Sequence, residues 1–158
     1  MSTVSIVPYA AAYRDAFAAL NRAWIERHFT LESADRRYLD DPEGTILAKG
    51  GEVFFALDGS RLVGTCALIA DGPHAFELAK MAVVVDQQGR GIGRALVEHA
   101  LGFAEERGAT RVFLLSSSSL RVALHLYERA GFVHVPFSVS EYARGDVRME
   151  IALPRREG

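Results

Sequence analysis

The chain has 158 residues and a mass of 17.3 kDa, a size typical of one domain spanning residues 1–158. Hydrophobic residues make up 49% and charged residues 24%, which excludes a disordered chain, and the formal net charge of -2 provides no basic field for general nucleic-acid binding. A single cysteine, Cys66, excludes an intramolecular disulfide, and the absence of a secretory signal or of an apolar run of roughly 20 residues favours a cytoplasmic protein without a membrane partner.

The first part of the chain predicts one strand and two helices. Residues 3–7 alternate polar and apolar side chains before Pro8, as a half-buried strand does. Large apolar side chains then recur at steps of three and four, which predicts a helix whose core face comprises Tyr13, Phe17, Leu20 and Trp24. Asn21 lies off this face. Residues 31–41 predict a second short helix, capped by Ser33 and broken at residues 41–44.

The middle of the chain predicts an antiparallel meander. Two apolar runs, residues 53–57 and 62–69, flank Asp58-Gly59, a dipeptide typical of a type I′ hairpin turn. A turn at residues 71–74 then leads to a third strand over residues 76–85. Three consecutive strands of this kind form one sheet.

After residue 85 the hydrophobic period changes to that of a helix. A helix is predicted from Ile92 to Arg107, with Gly108 as its left-handed cap, followed by a buried strand over residues 112–115. A second helix covers residues 120–130 and ends at Gly131, and the last strands lie near residues 132–139 and 147–152. Strand, helix and strand in this order predict a parallel pair, and hence an α/β fold with a mixed sheet.

A glycine-rich loop separates the third strand of the meander from the first of these two helices. Gly89, Gly91 and Gly93 alternate along it, so several backbone N–H groups can converge on a phosphate at the helix N-terminus. A simple turn is the alternative. A Walker loop has lysine after its last glycine, whereas Arg94 follows Gly93. A dinucleotide fingerprint needs a small residue at its third position, and Arg94 is too large for it. Neither nucleotide motif fits.

Two segments resemble the GNAT superfamily of N-acetyltransferases. Gln88, Gly91 and Gly93 reproduce the acetyl-CoA-binding pattern Gln/Arg-x-x-Gly-x-Gly/Ala, and residues 123–132 are similar to the pattern Ala-x-x-Leu-Tyr-x-x-x-Gly-Phe. The two motifs stand in the family order with a strand between them. The resemblance implies a GNAT-like fold of about seven strands and four helices, splayed between the fourth and fifth strands, with acetyl-CoA as co-substrate.

The same resemblance implies where acetyl-CoA is held. Backbone groups of Val83 and Val85 would pair with the pantetheine arm, and backbone N–H groups of the glycine loop would bind the pyrophosphate. The implied set is Val83, Val84, Val85, Gln88, Gly89, Arg90, Gly91, Ile92, Gly93, Arg94 and Ser117. Arg90 and Arg94 add positive charge there, unless they are solvated helix-end side chains. Leu120 replaces a frequent family asparagine, and a serine of the run 117–119 could supply its hydrogen bond.

Two side chains are candidates for proton transfer. Alignment on the glycine loop places Glu77 where several family members carry a general base; the alternative is a strand carboxylate that faces solvent or pairs with Lys80 or Arg61. Tyr127 matches the family tyrosine that meets the coenzyme sulfur as general acid; the alternative is a packed aromatic residue with a satisfied hydroxyl. A backbone amide near residues 81–83 would stabilise the oxyanion.

Other catalytic chemistries lack support in the sequence. The five histidines show no paired metal-ligand spacing, so no metal site is predicted. The serine run lacks a nucleophile elbow and an adjacent base, and Cys66 in mid-strand is interpreted as a buried structural thiol.

By the family resemblance, the acetyl acceptor binds between the early helices and the loop joining the last two strands. Aromatic and acidic residues there would suit a cationic amine, with a solvated acidic surface as the alternative; they are Trp24, Glu26, Phe29, Glu32, Asp35, Tyr38, Glu141, Tyr142 and Asp146. We expect a small or amino-acid-like primary amine. A protein or peptide acceptor, and a non-catalytic acetyl-CoA sensor, remain alternatives, and a homodimer is left open.

Overall fold

The computed structural model describes residues 4–136 and 145–155. The strands are β1 (Val4–Pro8), β2 (Glu52–Asp58), β3 (Arg61–Ala70), β4 (Ala75–Val83), β5 (Arg111–Ser116), β6 (Val133–Val135) and β7 (Val147–Ala152). The helices are α1 (Arg14–His28), α2 (Ser33–Asp40), α3 (Pro42–Thr45), α4 (Ile92–Glu106) and α5 (Arg121–Ala130). All seven strands of the described residues form one sheet in the order β1-β2-β3-β4-β5-β7-β6. The α/β mixed-sheet prediction is confirmed.

The turn between β2 and β3 differs by one residue from the prediction. Asp58 pairs with Arg61, so the two turn residues are Gly59 and Ser60 rather than Asp58 and Gly59. Gly59 has φ +63, and Lys80 is the one non-glycine residue of the described part with a positive φ. A glycine at the first turn position alone fits a type II′ turn, not the type I′ turn expected.

One helix cap and one short helix differ from the prediction. Glu32, not Ser33, is the N-cap of α2, and its N–H donates to the Asp35 carboxylate at 2.9 Å. α2 ends at Asp40, where the break was predicted, but residues 42–45 then form α3, because the Asp41 carboxylate accepts the Gly44 N–H at 3.0 Å and proline is favourable at the first helical position. The described residues therefore hold five helices, one more than the expected four.

The two glycine caps predicted for the later helices are confirmed. Gly108 follows α4 with φ +76, and Gly131 follows α5 with φ +108, both in the left-handed region that favours glycine. The strand predicted over residues 132–139 is described as β6 alone, and residues 137–139 lie outside the described residues.

The sheet opens between β4 and β5, as the resemblance implied. These parallel strands pair at only three positions, and the last pair joins Glu77 to Phe113. Beyond this pair β4 continues to Val83 and β5 to Ser116, and no further pairing joins them. The splay is thus confirmed, and Glu77 lies at its vertex.

Helices cover the two faces of the sheet unequally. One core cluster joins α4 and α5 to the sheet, including Leu96, Leu101 and Tyr127 against inward residues such as Leu78 and Leu114. A smaller cluster on the other face joins α1 and α2 to β2 and β3 through side chains such as Phe17, Leu39 and Phe55. The face that carries α1 is therefore covered over the first strands, where these contacts concentrate.

Candidate active site

The gap between β4 and β5 forms a cleft of about 630 Å³. Residues of α1, β4, the glycine loop, the end of β5 and α5 line it. Of the side chains and backbone groups predicted from the sequence, the cleft brings together Glu77, Val83, Gln88, Gly89, Gly91, Ile92, Gly93, Arg94, Ser117 and Tyr127. Val84, Val85 and Arg90 are not among its lining residues.

The glycine loop presents the N-terminus of α4 to this cleft. Gly89 has φ +85 and the N-cap Gly91 has φ +78, so both positions need the freedom of glycine. The first intrahelical bond runs from the Ala95 N–H to the Gly91 carbonyl at 3.0 Å. The N–H groups of residues 92–94 precede that bond and have no partner within the helix. They form a site for an anionic group.

Gly93 and Gly64 allow α4 to pack closely against α5 and β3. A Cβ on Gly93 would lie 3.1 Å from Leu126 of α5, and a Cβ on Gly64 of β3 would lie 3.1 Å from Ile92 and 3.2 Å from Leu96. The helix N-terminus therefore approaches both α5 and the sheet more closely than larger residues would allow. Sequence reasoning missed Gly64, because a glycine within a strand pattern gives no sign of what it contacts.

The three valines at the end of β4 differ in what their backbones can bind. The Val84 N–H donates to the Val63 carbonyl at 2.9 Å, which directs Val84 toward β3. Val83 alternates with it and directs its backbone polar groups into the gap, where Gln88 Nε2 donates to its carbonyl at 3.4 Å. The Val85 carbonyl accepts the Gln88 N–H at 3.3 Å within a short 3-10 turn. Val83 is thus the valine directed at the cleft.

The two arginines of the loop have different surroundings. Arg90 Nη1 lies 3.1 Å from the Asp58 carboxylate at the β2–β3 turn and also donates to Gln87 Oε1. Arg94 is exposed, lines the cleft and forms no ion pair with a described residue. Of the two loop arginines, Arg94 is therefore the one whose charge faces the cleft.

The serine run before α5 is held in place by its own hydroxyls and by Asp146. Ser117 is buried, and its Oγ lies 2.9 Å from the Ser119 Oγ. Ser118 donates from its Oγ and its N–H to the Asp146 carboxylate at 2.6 and 2.8 Å, and these bonds hold the pKa of that carboxyl below its usual value. Asp146, predicted to be part of an acidic acceptor surface, thus anchors this loop. Leu120 caps α5 without a side-chain bond.

Tyr127 lies between the core and the cleft. The residue is 8% exposed and its ring meets Phe132 in a T-shaped contact at 6.0 Å. Burial raises the pKa of its phenol, with a smaller contribution from Cys66. Within residues 4–136 and 145–155 its hydroxyl has no hydrogen-bond partner, and the residue lines the cleft. The site thus holds a protonated phenol accessible from the cleft.

Glu77 lies on the face of β4 that carries α1. Its neighbours Phe76 and Leu78 point into the core beneath α4, so the alternation of the strand turns Glu77 to the opposite face. Of the two cations considered as its partners, Arg61 pairs with Asp86 at 3.1 Å and Lys80 with Asp35 at 2.9 Å. Glu77 and Tyr127 both line the cleft, Glu77 from the sheet and Tyr127 from α5.

A β-bulge interrupts β4 three residues after Glu77. Thr65 pairs with Ala82 but Ala67 pairs with Ala79, so Lys80 and Met81 together lie opposite Cys66. Lys80 has φ +55, which is unusual for a residue with a side chain. A bulge leaves a backbone group outside the ladder, and this one adjoins the stretch 81–83 where an oxyanion donor was predicted.

A buried ion pair fixes this bulge to α2. Lys80 Nζ lies 2.9 Å from Asp35 Oδ1, and the side chains are 4% and 0% exposed. The ammonium also lies 5.6 Å from the centre of the Tyr38 ring. Asp35 was predicted to belong to an acidic surface that receives a cationic amine. The sequence gives no sign of the pair, because its members are 45 residues apart and only the packing of α2 on the sheet joins them.

The end of α1 adds aromatic rings to the cleft. Trp24 lies 5.0 Å from His28 and 6.2 Å from Phe29 between ring centres, and all three line the cleft. Asn21 was placed off the apolar face, yet it is 1% exposed, because its Nδ2 donates to the Phe17 carbonyl at 3.0 Å. Of the other predicted acceptor residues, Glu26 is exposed, and Glu141 and Tyr142 lie outside the described residues.

Three observations concern other classes of site. Cys66 is fully buried and burial raises the pKa of its thiol, as expected for a structural cysteine. Over residues 4–136 and 145–155, histidine, cysteine and carboxylate side chains nowhere gather in a group of three that could bind a metal ion. The helices of the same residues are all too short or too polar to cross a bilayer.

Comparison with known proteins places this geometry in a family. The sequence model of the acetyltransferase (GNAT) family matches residues 12–132. A mycothiol acetyltransferase of Rhodococcus jostii (strain RHA1) is 33% identical over 127 residues, which cover 77% of this chain and 39% of that protein. The chain therefore matches less than half the length of this curated relative.

Solved structures share the fold. A GNAT-family acetyltransferase of Staphylococcus aureus Mu50 gives a TM-score of 0.86 at 19% identity, covering 96% of this chain and 99% of that chain. The yncA protein of Salmonella typhimurium, solved with its cofactor acetyl-CoA, gives 0.77 at 20% identity, covering 99% and 98%. The family match extends from before α1, through the glycine loop, to Phe132 after α5, and the chain belongs to the acetyltransferase (GNAT) family.

Proposed function

We propose that this protein transfers the acetyl group of acetyl-CoA to the primary amine of a small molecule. The observation that carries the proposal is the shared cleft: the unpaired N–H groups at the start of α4 and the Tyr127 hydroxyl open into the same gap of the sheet. One can hold a pyrophosphate and the other can meet a thioester sulfur.

The residues present fit acetyl-CoA. The N–H groups of residues 92–94 provide donors for phosphate oxygens, with Arg94 beside them. Val83 offers its backbone to an amide-bearing arm, and Ser117 lies across the gap. Acetyl-CoA supplies an acetyl thioester that an amine nitrogen attacks at the carbonyl carbon, with cleavage of the carbon–sulfur bond.

Groups of this chain then transfer the protons of the reaction and stabilise the negative charge on the carbonyl oxygen. An alkylamine of pKa about 10.4 is almost fully protonated at neutral pH, so Glu77 takes a proton from the ammonium as the nitrogen becomes a nucleophile. A backbone N–H of the β4 bulge region stabilises the oxyanion. As the carbon–sulfur bond breaks, Tyr127 donates its phenolic proton to the departing sulfur, which leaves as the free thiol. The nitrogen of the new amide loses its second proton through solvent to the Tyr127 phenolate, and Glu77 releases its proton to bulk water. The raised pKa of Tyr127 keeps that proton in place before transfer.

Thiol release tests the proposal directly. The purified chain is incubated with acetyl-CoA and a panel of small primary amines, peptides and proteins, and the release of free thiol is measured. Calorimetry measures the binding of acetyl-CoA in a separate experiment. We expect thiol release with small amines. Binding without turnover on any acceptor would indicate a sensor, and acetylation confined to peptides or proteins would indicate the other acceptor class. Failure to bind acetyl-CoA would overturn the proposal entirely.

Glu77→Gln provides the matched variant, since it removes the carboxylate while preserving side-chain size. Its turnover should fall by about 100-fold or more at neutral pH, with acetyl-CoA affinity retained. Unchanged turnover would remove Glu77 from the proposed mechanism.

A further inference from the structure

Glu77 belongs to a row of side chains that runs across three strands. Phe113 of β5 pairs with Glu77 of β4 and with Glu150 of β7. The neighbours Leu114 and Met149 point into the core beneath α4, so the row itself lies on the opposite face, the one that carries α1. The surface next to the proposed general base is therefore formed by β5 and β7.

Arg148 of β7 lies on this surface beside the row. Its guanidinium carbon stands 4.2 Å from the centre of the Phe113 ring, so the side chain leans toward β5 and hence toward Glu77. The side chain is 25% exposed. One N–H donates to Glu150 Oε1 at 3.0 Å, and its remaining donors bond to no other residue in the described part of the chain. A guanidinium has five N–H donors, so the described residues leave most of the donors of Arg148 open to a ligand.

The charge of the cluster favours a monoanion. Glu150 accepts from Arg111 at 3.2 Å as well as from Arg148, and Arg111 also lies 3.9 Å from Asp71 at the outer side of the sheet. These two arginines and two carboxylates carry no net charge. The open donors of one guanidinium in a neutral cluster suit a monoanionic carboxylate better than a dianionic phosphate.

We propose that Arg148 binds the carboxylate of the acetyl acceptor, so that the preferred acceptors are small amino acids. This inference rests on the proposed function. Adjacent strands lie about 4.8 Å apart, so Glu77 and the guanidinium over Phe113 are separated by one to two strand spacings. A small amino acid, with one hydrogen bond at each end, spans such a distance. The planar fork of arginine suits a carboxylate, and the Phe113 ring fixes its plane.

Matched acceptors test this specificity. Each amino acid is compared with its own carboxamide and with a phosphorylated amine, and kcat/KM is measured for each by thiol release. We expect the wild-type chain to prefer the amino acid. In Arg148→Gln the ratio of kcat/KM for the amino acid to that for the carboxamide should fall by about 10- to 100-fold, mainly through KM, because a charge-assisted bond is lost.

Arg111→Gln is the control, because Arg111 contacts the same Glu150 and the same Phe113 ring at 5.9 Å but is directed to the outer side, toward Asp71. It should keep the preference for the amino acid. Arg148→Lys should retain part of it, and thermal unfolding of each variant monitors folding. Equal use of amino acid and carboxamide by the wild-type chain, a preference for phosphorylated amines, or an unchanged ratio in Arg148→Gln would overturn the inference.

Failure of the proposed function gives a different result. If no acceptor releases thiol, the proposed transfer is wrong, and the Arg148 site is then decided by calorimetric titration of amino acids into the CoA-saturated chain. Heat of binding in the wild type that is lost in Arg148→Gln would support the carboxylate site. Absence of binding in both would exclude it.

Discussion

At the scale of single residues, Cys66 and Tyr127 share the effect of burial on their pKa but differ in their access to the cleft. Burial raises the pKa of both groups, so both keep their protons at neutral pH. The thiol of Cys66 lies within the core, 3.9 Å from the Leu96 carbonyl, and meets no ligand. The hydroxyl of Tyr127 reaches the cleft, where a retained proton is useful to a leaving thiolate.

Tyr127→Phe isolates that hydroxyl. The ring and its contact with Phe132 remain, so the variant should fold and bind acetyl-CoA as the wild type does. Turnover should fall by about 100-fold, the usual contribution of a positioned general acid. Steady-state kinetics measure kcat and calorimetry measures the affinity for acetyl-CoA. Equal turnover in the two proteins would show that the sulfur leaves without help from Tyr127.

We expect the Lys80–Asp35 pair to contribute to the free energy of unfolding. Lys80→Met keeps a long apolar side chain at this residue of positive φ and removes the ammonium that lies 2.9 Å from the buried Asp35 carboxylate. The free energy of unfolding should fall by about 3–5 kcal/mol. Urea denaturation measures this loss. Lys80→Met combined with Asp35→Leu should recover most of it, because no buried charge remains; a single variant as stable as the wild type would contradict the argument.

At the scale of elements, the glycine loop and α4 work as one unit. The loop contributes left-handed backbone at Gly89 and Gly91, and the helix contributes N–H groups without internal partners. Both features are local in sequence, which explains why the spacing of the glycines is enough to identify the loop. The direction in which the helix N-terminus points depends on its contacts with β3 and α5, and these are not local.

Gly91→Ala tests this unit against an internal control. A Cβ at Gly91 meets no atom within 4 Å, so the cost comes from φ +78 alone, about 1–2 kcal/mol. Gly108 at the other end of α4 has φ +76 and equally open surroundings. Both alanine variants should lose similar stability on denaturation. Calorimetry should find weakened acetyl-CoA binding only in Gly91→Ala. Equal affinities for acetyl-CoA in the two variants would show that the loop does not bind it.

At the scale of the whole molecule, Arg155, which follows β7, links that strand to α4. The Arg155 side chain donates to Glu105 at 2.8 Å and to Glu98 at 2.5 Å, and the Arg155 N–H donates to Glu105 at 2.9 Å. The pKa of Glu105 is held below its usual value, chiefly by the backbone hydrogen bond from Arg155. These contacts join β7, which pairs with β5, to the helix whose N-terminus lines the cleft.

Glu105 therefore gives the stability a pH dependence of known sign. A carboxyl whose pKa is lower in the folded state stabilises that state above the unfolded pKa of about 4.3, and the stabilisation is lost as pH falls through the folded pKa. In Glu105→Gln this contribution is absent. Between about pH 5 and 3 the variant should lose less stability than the wild type, as measured by thermal unfolding at each pH; parallel curves would contradict the assignment.

The sequence by itself determined the order of the strands and of all α-helices except α3, together with the glycine caps and the glycine loop. These depend on hydrophobic period, on φ preferences and on contacts within a few residues, all of which a linear pattern records. The tyrosine motif of α5 was identified by its resemblance to the family pattern. The sequence also placed Glu77 near the start of β4. It could not show that Glu77 lies at the vertex of the splay, because that depends on where pairing with β5 stops.

The tertiary structure alone decided which distant groups meet. Lys80 pairs with Asp35, Arg90 with Asp58 and Ser118 with Asp146, across 45, 32 and 28 residues. Each pair follows from sheet register and helix packing, and a shift of one residue in a strand would turn these side chains to the other face. The position of Arg148 over Phe113 has the same origin, because the order β5-β7-β6 inserts the last strand of the chain beside the site.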